Sequence, residues 1–430
     1  MPDRAQTDAA RRAFAVLQSM RGVSGKLAQV ADFVDPAWAP EGEERDRLEA
    51  QLAEIRSGAP EPLPAKRIER VLRDAWGGKI SDHLAELEPE PAAMASAGQV
   101  HRGETGDGRV VAVKVIHPGL EEALRADLGN LSLLAHLAAT AVQGLDPRAF
   151  AAELRDRALE EMDLEHEAQS QRAFWRAYRG HPFVCVPAPV TGLCHTGVLV
   201  SDWVEGTSFD EVLALGQGER DRYGEILARF HGGSMHHLSS FHADPHPGNH
   251  LLLDDGRVAF VDYGSVGRAD PAWLAGLYDA AAAVETGDAD RLTRDLAGLG
   301  YLAAAERVDG RFLLDHVRAT GGWLLTGGRV TIDEALADEL GAHQRGAARE
   351  LADVAPHGRL PARDLLAGRL AGGLGAVLGR LRATAPWAAI GREYREGAEP
   401  ATDLGAEEAA FWAERGHSRG PAVHELRRAA

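Results

Sequence analysis

Cysteine is nearly missing. The 430 residues hold only Cys185 and Cys194, which excludes a disulfide scaffold and a cysteine-rich zinc module. Residues 1–10 carry no apolar stretch of the signal-peptide kind, and no run approaches the roughly 20 apolar residues of a membrane span, so the chain reads as cytosolic. Positive charge is in deficit: 47 basic against 65 acidic residues leave a formal net charge of -18. Such a surface repels phosphate backbones and anionic lipid, which disfavours a nucleic-acid binder or a polybasic membrane protein. Lysine is the rarest charge, present only at Lys26, Lys66, Lys79 and Lys114. A compact ammonium and a planar guanidinium are not interchangeable where one phosphate or carboxylate must be met, so these four positions come first in a search for point-charge roles. No internal repeat is visible.

Hydrophobic residues make up 45% and charged residues 26%, enough to bury a sizeable core and to exclude wholesale disorder. The length suits two or three domains or one large lobed enzyme. Helical periodicity over 10–35, 41–57 and 66–76 gives a helical N-terminal extension over residues 1–85. Period-two patterning then takes over: a strand at 97–102, the turn Gly106-Asp107-Gly108, and a strand at 109–116. Two helices over 120–175 and strands near 184–186 and 197–203 complete a small lobe at 86–206. A helix at 209–238, a loop at 241–249, a hairpin at 250–261 turning at Asp254-Asp255-Gly256, and helices to about residue 394 make a large lobe at 207–395. The tail, 396–430, is expected to be poorly ordered. The fold class is α+β, and this order of elements is that of a bilobal protein-kinase-like fold.

The loop from His242 to Asn249 carries the most chemistry. Asp244 precedes a proline, which pushes it to extended backbone, and Pro247 restricts the loop again. Asn249 follows Asp244 by five residues and His242 precedes it by two, the spacing of a kinase catalytic loop in which the aspartate serves the nucleophile and the asparagine a metal. Past the hairpin, Asp262-Tyr263-Gly264 stands where a kinase has an aspartate on magnesium. Because magnesium keeps water and phosphate oxygens among its ligands, Asn249 with Asp262 is a sufficient protein pair. Lys114 ends a Val-Val-Ala-Val strand, the place of the lysine that meets nucleotide phosphates, with a partner glutamate expected among Glu160, Glu161, Glu165 and Glu167. Glu161 and Glu167 lie about 240° apart if one helix carries both, which suggests two different jobs. No G-x-G-x-x-G precedes the lysine; an alanine-rich stretch, 91–100, stands there instead. A rival metal cluster of His242, His246 and His250 with Asp244 is weakened by the prolines, which break any common helix face.

These motifs resemble the UbiB/AarF family of atypical, protein-kinase-like proteins associated with coenzyme Q. Lys26-Leu27-Ala28-Gln29 is similar to the family's K-x-G-Q element, with alanine for glycine. Ala93-Met94-Ala95-Ser96 is similar to its A-A-A-S loop, with Met94 for alanine and with Gly98-Gln99-Val100-His101 following. Glu161-Met162-Asp163 matches E-x-D, Glu167 the lysine's partner, and 242–249 the family's H-A-D-P-H-P-G-N without a change. The resemblance implies an ATP- and magnesium-dependent kinase or ATPase. Asp244, Lys114 and Glu167 would be catalytic and Asn249 and Asp262 metal ligands. Ala95, Ser96, Gly98, Lys26, Gln29 and Glu161 would lie at the nucleotide. It also implies an acceptor in isoprenoid-quinone or other lipid-related metabolism, with peripheral membrane contact left open and oligomeric state unspecified. Two alternatives stay open: a nucleotide-gated binding module without turnover, and a small-molecule phosphotransferase resembling aminoglycoside kinases.

Overall fold

The computed structural model describes residues 62–95, 98–120, 162–325, 327–333 and 364–417, with a few single positions between them. Lys26, Gln29, Ser96 and Glu161 lie outside the described residues. The chain divides into two compact units: residues up to Ala173 with Pro187–Val204, and Phe174–Val186 with everything from Glu205 on. The segment Phe174–Val186, which the sequence pattern assigns to the small lobe, is thus part of the second unit.

The first unit is built on an antiparallel sheet. Its strands are β1 (Leu84–Leu87), β2 (Ala93–Ala95), β3 (Gly98–Thr105), β4 (Val110–Ile116) and β6 (Val198–Asp202), in the order β1-β3-β4-β6 with β2 also on β3. The β3–β4 turn is closed by Gly108, whose φ of 84° only glycine adopts without strain. Alternation along β4 sends Val111, Val113 and Val115 to one face, where Ile68 and Leu72 of helix α1 (Ala65–Trp76) cover them. Lys114 takes the opposite parity, and its ladder partner Leu199 packs there with Leu164 and Ala168 of α2 (Leu164–Tyr178). One sequence expectation is corrected here, and one strand had no sequence signal. The stretch at 93–95, read as loop, is a strand, and β1, unmarked by any alternation of apolar residues, forms because β3 offers it an edge.

In the second unit, α3 (Phe209–Val212) and α4 (Gln217–Leu238) lead to β7 (Ser240–His242), which pairs with β10 (Val266–Arg268). The expected hairpin is present as β8 (His250–Leu252) and β9 (Val258–Phe260), and β9 also pairs in parallel with β5 (Val184–Cys185). Helices α5 (Pro271–Thr286), α6 (Ala289–Gly298), α7 (Gly310–Gly321), α8 (Leu365–Leu381), α9 (Trp387–Glu396) and α10 (Asp403–Glu414) follow, with one short strand pair, β11 (Val330–Thr331) and β12 (Thr384–Ala385). The core is aromatic: Phe230 stacks on Phe260 at 3.6 Å between ring centres, and Phe174 lies 5.1 Å from Tyr263.

The tail departs most from expectation. Within its described part it forms α10, whose Phe411 and Trp412 are buried in this core. It is tied down by charge as well. Arg229 of α4, 0% exposed, donates to Glu225 at 2.7 Å, to Glu393 at 2.9 and 3.0 Å, to Glu408 at 2.9 Å and to Thr402 at 3.0 Å. A fully buried guanidinium is tolerated because its donors are taken up by three carboxylates and the Thr402 hydroxyl.

Candidate active site

Lys114 leaves β4 on the face that α2 covers. Its Nζ donates to both carboxylate oxygens of Glu167, at 2.8 and 2.9 Å. Both residues are buried, 8% and 3% exposed, so this is a desolvated ion pair rather than a surface contact. Glu167 reaches it because Leu164, Glu167, Ala168 and Gln171 form one buried stripe at i, i+3, i+4 and i+7 along α2. The helix starts late. Asp163 caps it, Oδ1 accepting from the backbone N–H of Glu165 at 3.0 Å and of His166 at 3.2 Å. The third residue of the E-x-D element is therefore a helix cap. The angle argued between Glu161 and Glu167 does not hold, since α2 begins only at Leu164.

Beside Lys114 in the ladder is Val100, and the β2–β3 hairpin starts two residues earlier, Ala95 opposite Gly98. A Cβ at Gly98 would lie 2.0 Å from the carbonyl oxygen of Val115. Only glycine allows the hairpin to press onto β4 this closely.

In the second unit, His242 joins the loop to the strand end that follows the hairpin. Its Nε2–H donates to the carbonyl of Asp262 at 2.7 Å, and its Nδ1 accepts from the N–H of Asp244 at 3.4 Å. The N–H of Val261 donates to the carbonyl of Asn249 at 2.8 Å. Asn249 Nδ2 donates to the carbonyl of Asp244 at 3.2 Å, which turns the amide oxygen the other way. Asp244, Asn249 and Asp262 are thus gathered by backbone bonds. Asp262 itself has a φ of 60°, a left-handed conformation uncommon outside glycine, and its Oδ1 accepts from the N–H of Gly264 at 3.2 Å.

The histidines are braces. His250 Nε2 donates to the carbonyl of Pro245 at 3.4 Å and Nδ1 accepts from the Tyr223 hydroxyl at 2.7 Å. Burial holds its imidazole down at about 4, so it is neutral at neutral pH. His246 Nδ1 accepts from the N–H of Gly248. The histidine metal cluster is not formed: no group of three histidine, cysteine or acidic residues among the described residues could hold a metal ion.

One participant has no local signal in the sequence. Arg369 of α8 places a terminal nitrogen 3.1 Å from Asp244 Oδ1. One turn further along the same helix, a Cβ at Gly373 would come within 2.7 Å of Pro245 Cγ. The missing side chain lets α8 lie against the loop, and that approach delivers the arginine to the aspartate.

A family model described as the ABC1 atypical kinase-like domain matches residues 55–296. The chain is 33% identical over 237 residues to the protein sll0005 of Synechocystis, covering 54% of this chain and 35% of that one. It is 28% identical over 298 residues to the mitochondrial atypical kinase COQ8B of Rattus norvegicus, covering 69% and 55%. With the probable protein kinase UbiB of Marinobacter nauticus it shares 29% identity over 238 residues, covering 53% and 43%. The chain thus spans about a third to about half of the length of these curated relatives. Among solved structures, Rv3197 of Mycobacterium tuberculosis in its complex with erythromycin is similar, with a TM-score of 0.66 and 28% identity over 90% of this chain and 95% of that one.

Proposed function

The chain belongs to the ABC1 atypical kinase-like family, with relatives of the UbiB and COQ8 type, and from that premise we propose that it binds magnesium and ATP and either hydrolyses the nucleotide or transfers its terminal phosphoryl group. The observation that carries this reading is the buried pair of Lys114 and Glu167, two oxygens on one ammonium at 2.8 and 2.9 Å. The glutamate orients Nζ to meet phosphate oxygens as a point charge.

The donor set of the second unit fits magnesium. An amide oxygen and a carboxylate are hard ligands, and two of them suffice when phosphates and water supply the rest. Asn249 and Asp262 would hold the ion, whose charge would offset that developing on the phosphates. Asp244 accepts the proton of the attacking hydroxyl or orients it, and Arg369 keeps that carboxylate in one rotamer. The remaining work is positioning and charge neutralisation. The acceptor is water or a hydroxyl of a small lipid-related molecule, quinone precursors included. Because a solved relative is known with erythromycin, macrolides belong in the acceptor panel.

The ion pair on Asp244 also favours a second reading, a nucleotide-gated module in which that carboxylate is occupied rather than catalytic. Thermal unfolding against magnesium and ATP tests the first claim, since a ligand at 100 times its Kd stabilises by about 2.7 kcal/mol. Asp262→Asn is expected to abolish the magnesium-dependent shift and Lys66→Ala to keep it; equal behaviour would refute the metal assignment. Asp244→Asn is expected to bind nucleotide but release no phosphate. Unchanged phosphate release in that variant would leave only the gated module standing.

No helix among the described residues is long and apolar enough to cross a membrane.

A further inference from the structure

Gln99 stands between Gly98 and Val100 and has no role assigned at the nucleotide, yet it is 0% exposed and carries a full set of hydrogen bonds. Its Oε1 accepts from the backbone N–H of Leu63 at 2.7 Å and from His117 Nε2 at 3.1 Å. Its Nε2 donates to the carbonyl of Leu63 at 3.4 Å and to His101 Nε2 at 2.8 Å. An amide offers two lone pairs and two hydrogens, and all four are used.

The orientation is forced. His101 Nδ1 must donate to the carbonyl of Glu88 at 2.8 Å, which leaves Nε2 as an acceptor for Gln99. Turning the amide over would set its N–H groups against the N–H of Leu63.

The consequence is mechanical. Leu63 lies outside the sheet, in the segment that leads into α1. Gln99 gives it both bonds that a neighbouring strand would give. On the other side, Gln99 sits in the ladder between Met94 of β2 and Val115 of β4, one residue from Val100, the partner of Lys114. His117, three residues past Lys114, is bound by the same amide oxygen. A buried apolar side chain would fill the space as well and would join none of these parts.

We propose that Gln99 is a positioning residue that couples the N-terminal segment at Leu63 to the Ala95–Gly98 hairpin and the Lys114 strand, so that nucleotide binding and the placement of that segment bias each other. This deepens the nucleotide reading and rests on it.

The test uses the full chain and two readouts: hydrogen exchange at the Leu63 amide, and affinity for magnesium–ATP by thermal shift. In the parent protein the Leu63 amide is expected to be protected and to gain about threefold protection on adding nucleotide. Gln99→Leu should lose Leu63 protection in the absence of any ligand and bind nucleotide about fivefold more weakly or worse, with protection elsewhere in the sheet kept. Gln99→Glu keeps the acceptor, so it should retain Leu63 protection while losing the gain on nucleotide addition; it also serves if the leucine variant does not fold. Unchanged Leu63 protection in Gln99→Leu, or protection in Gln99→Glu that still rises with nucleotide as in the parent, overturns the coupling. A parent chain that binds no nucleotide overturns the functional reading and the coupling together. A parent that binds it, with equal affinity in both variants, overturns the coupling alone.

Discussion

Arg369 lies 3.1 Å from Oδ1 of Asp244, joining a helix of the second unit to the loop that carries the proposed base. The two side chains are 16% and 22% exposed, so the pair is sheltered enough to fix a rotamer. Removing the cation should leave a misdirected carboxylate. Arg369→Gln is expected to lower the rate of phosphate release at least about tenfold, ~1.4 kcal/mol of barrier, while the nucleotide-induced shift in Tm stays. Gly373→Ala should act in the same direction by pushing α8 off Pro245. A faster reaction in Arg369→Gln would mean that the arginine restrains the site instead.

Breaking the pair of Lys114 and Glu167 on one side only strands a charge in the interior. Lys114→Met or Glu167→Gln is expected to cost stability, on the order of 3–5 kcal/mol for the more buried cases. Lys114→Met combined with Glu167→Leu should recover most of that loss in denaturant unfolding, yet bind no nucleotide. Additive losses in the double variant would show that the two side chains do not act as a pair.

Tyr263 stands where kinases carry phenylalanine, and its hydroxyl is buried without a hydrogen-bond partner among the described residues. Burial pushes that hydroxyl well above its usual range, so it stays neutral. An unmade bond costs about 1–3 kcal/mol. Tyr263→Phe should therefore be at least as stable as the parent by differential scanning calorimetry, with phosphate release unchanged. A lower Tm would reveal a role for the oxygen.

Around Arg229, one guanidinium faces three carboxylates, and burial drives Glu408 from 4.5 up to about 7 against the pull of Arg229. The folded chain therefore holds this proton more tightly than the unfolded chain. The stability it contributes is complete below about pH 4.5 and is lost as pH rises through about 7. Compared with Glu408→Gln, the parent should lose stability steadily between those limits, by up to ~1.4 kcal/mol per pH unit. A difference in Tm that stays flat over that range would assign the proton elsewhere.

Much of this molecule is written locally. The hairpins at Gly106-Asp107-Gly108 and Asp254-Asp255-Gly256 announce themselves because turn chemistry needs only neighbours. Lys114 is legible from the strand it ends, and the loop at 242–249 from two prolines and a fixed spacing. Glu167 could have been picked out from its acidic neighbours by the i, i+3, i+4, i+7 stripe it shares with Leu164, Ala168 and Gln171.

Other features depend on partners distant in the chain. The strand Leu84–Leu87 has no alternating pattern of its own and exists because β3 presents an open edge. The helix at 403–414 looks like a solvated Ala/Glu tail until Phe411 and Trp412 find a core and Glu408 finds Arg229. Nothing near Asp244 announces Arg369, and nothing near Gln99 announces Leu63. Short-range order follows from backbone preferences and side-chain period, which a linear string carries in full. Ion pairs and amide bonds across the fold depend on which surfaces come together, and that is settled only when the chain has closed on itself.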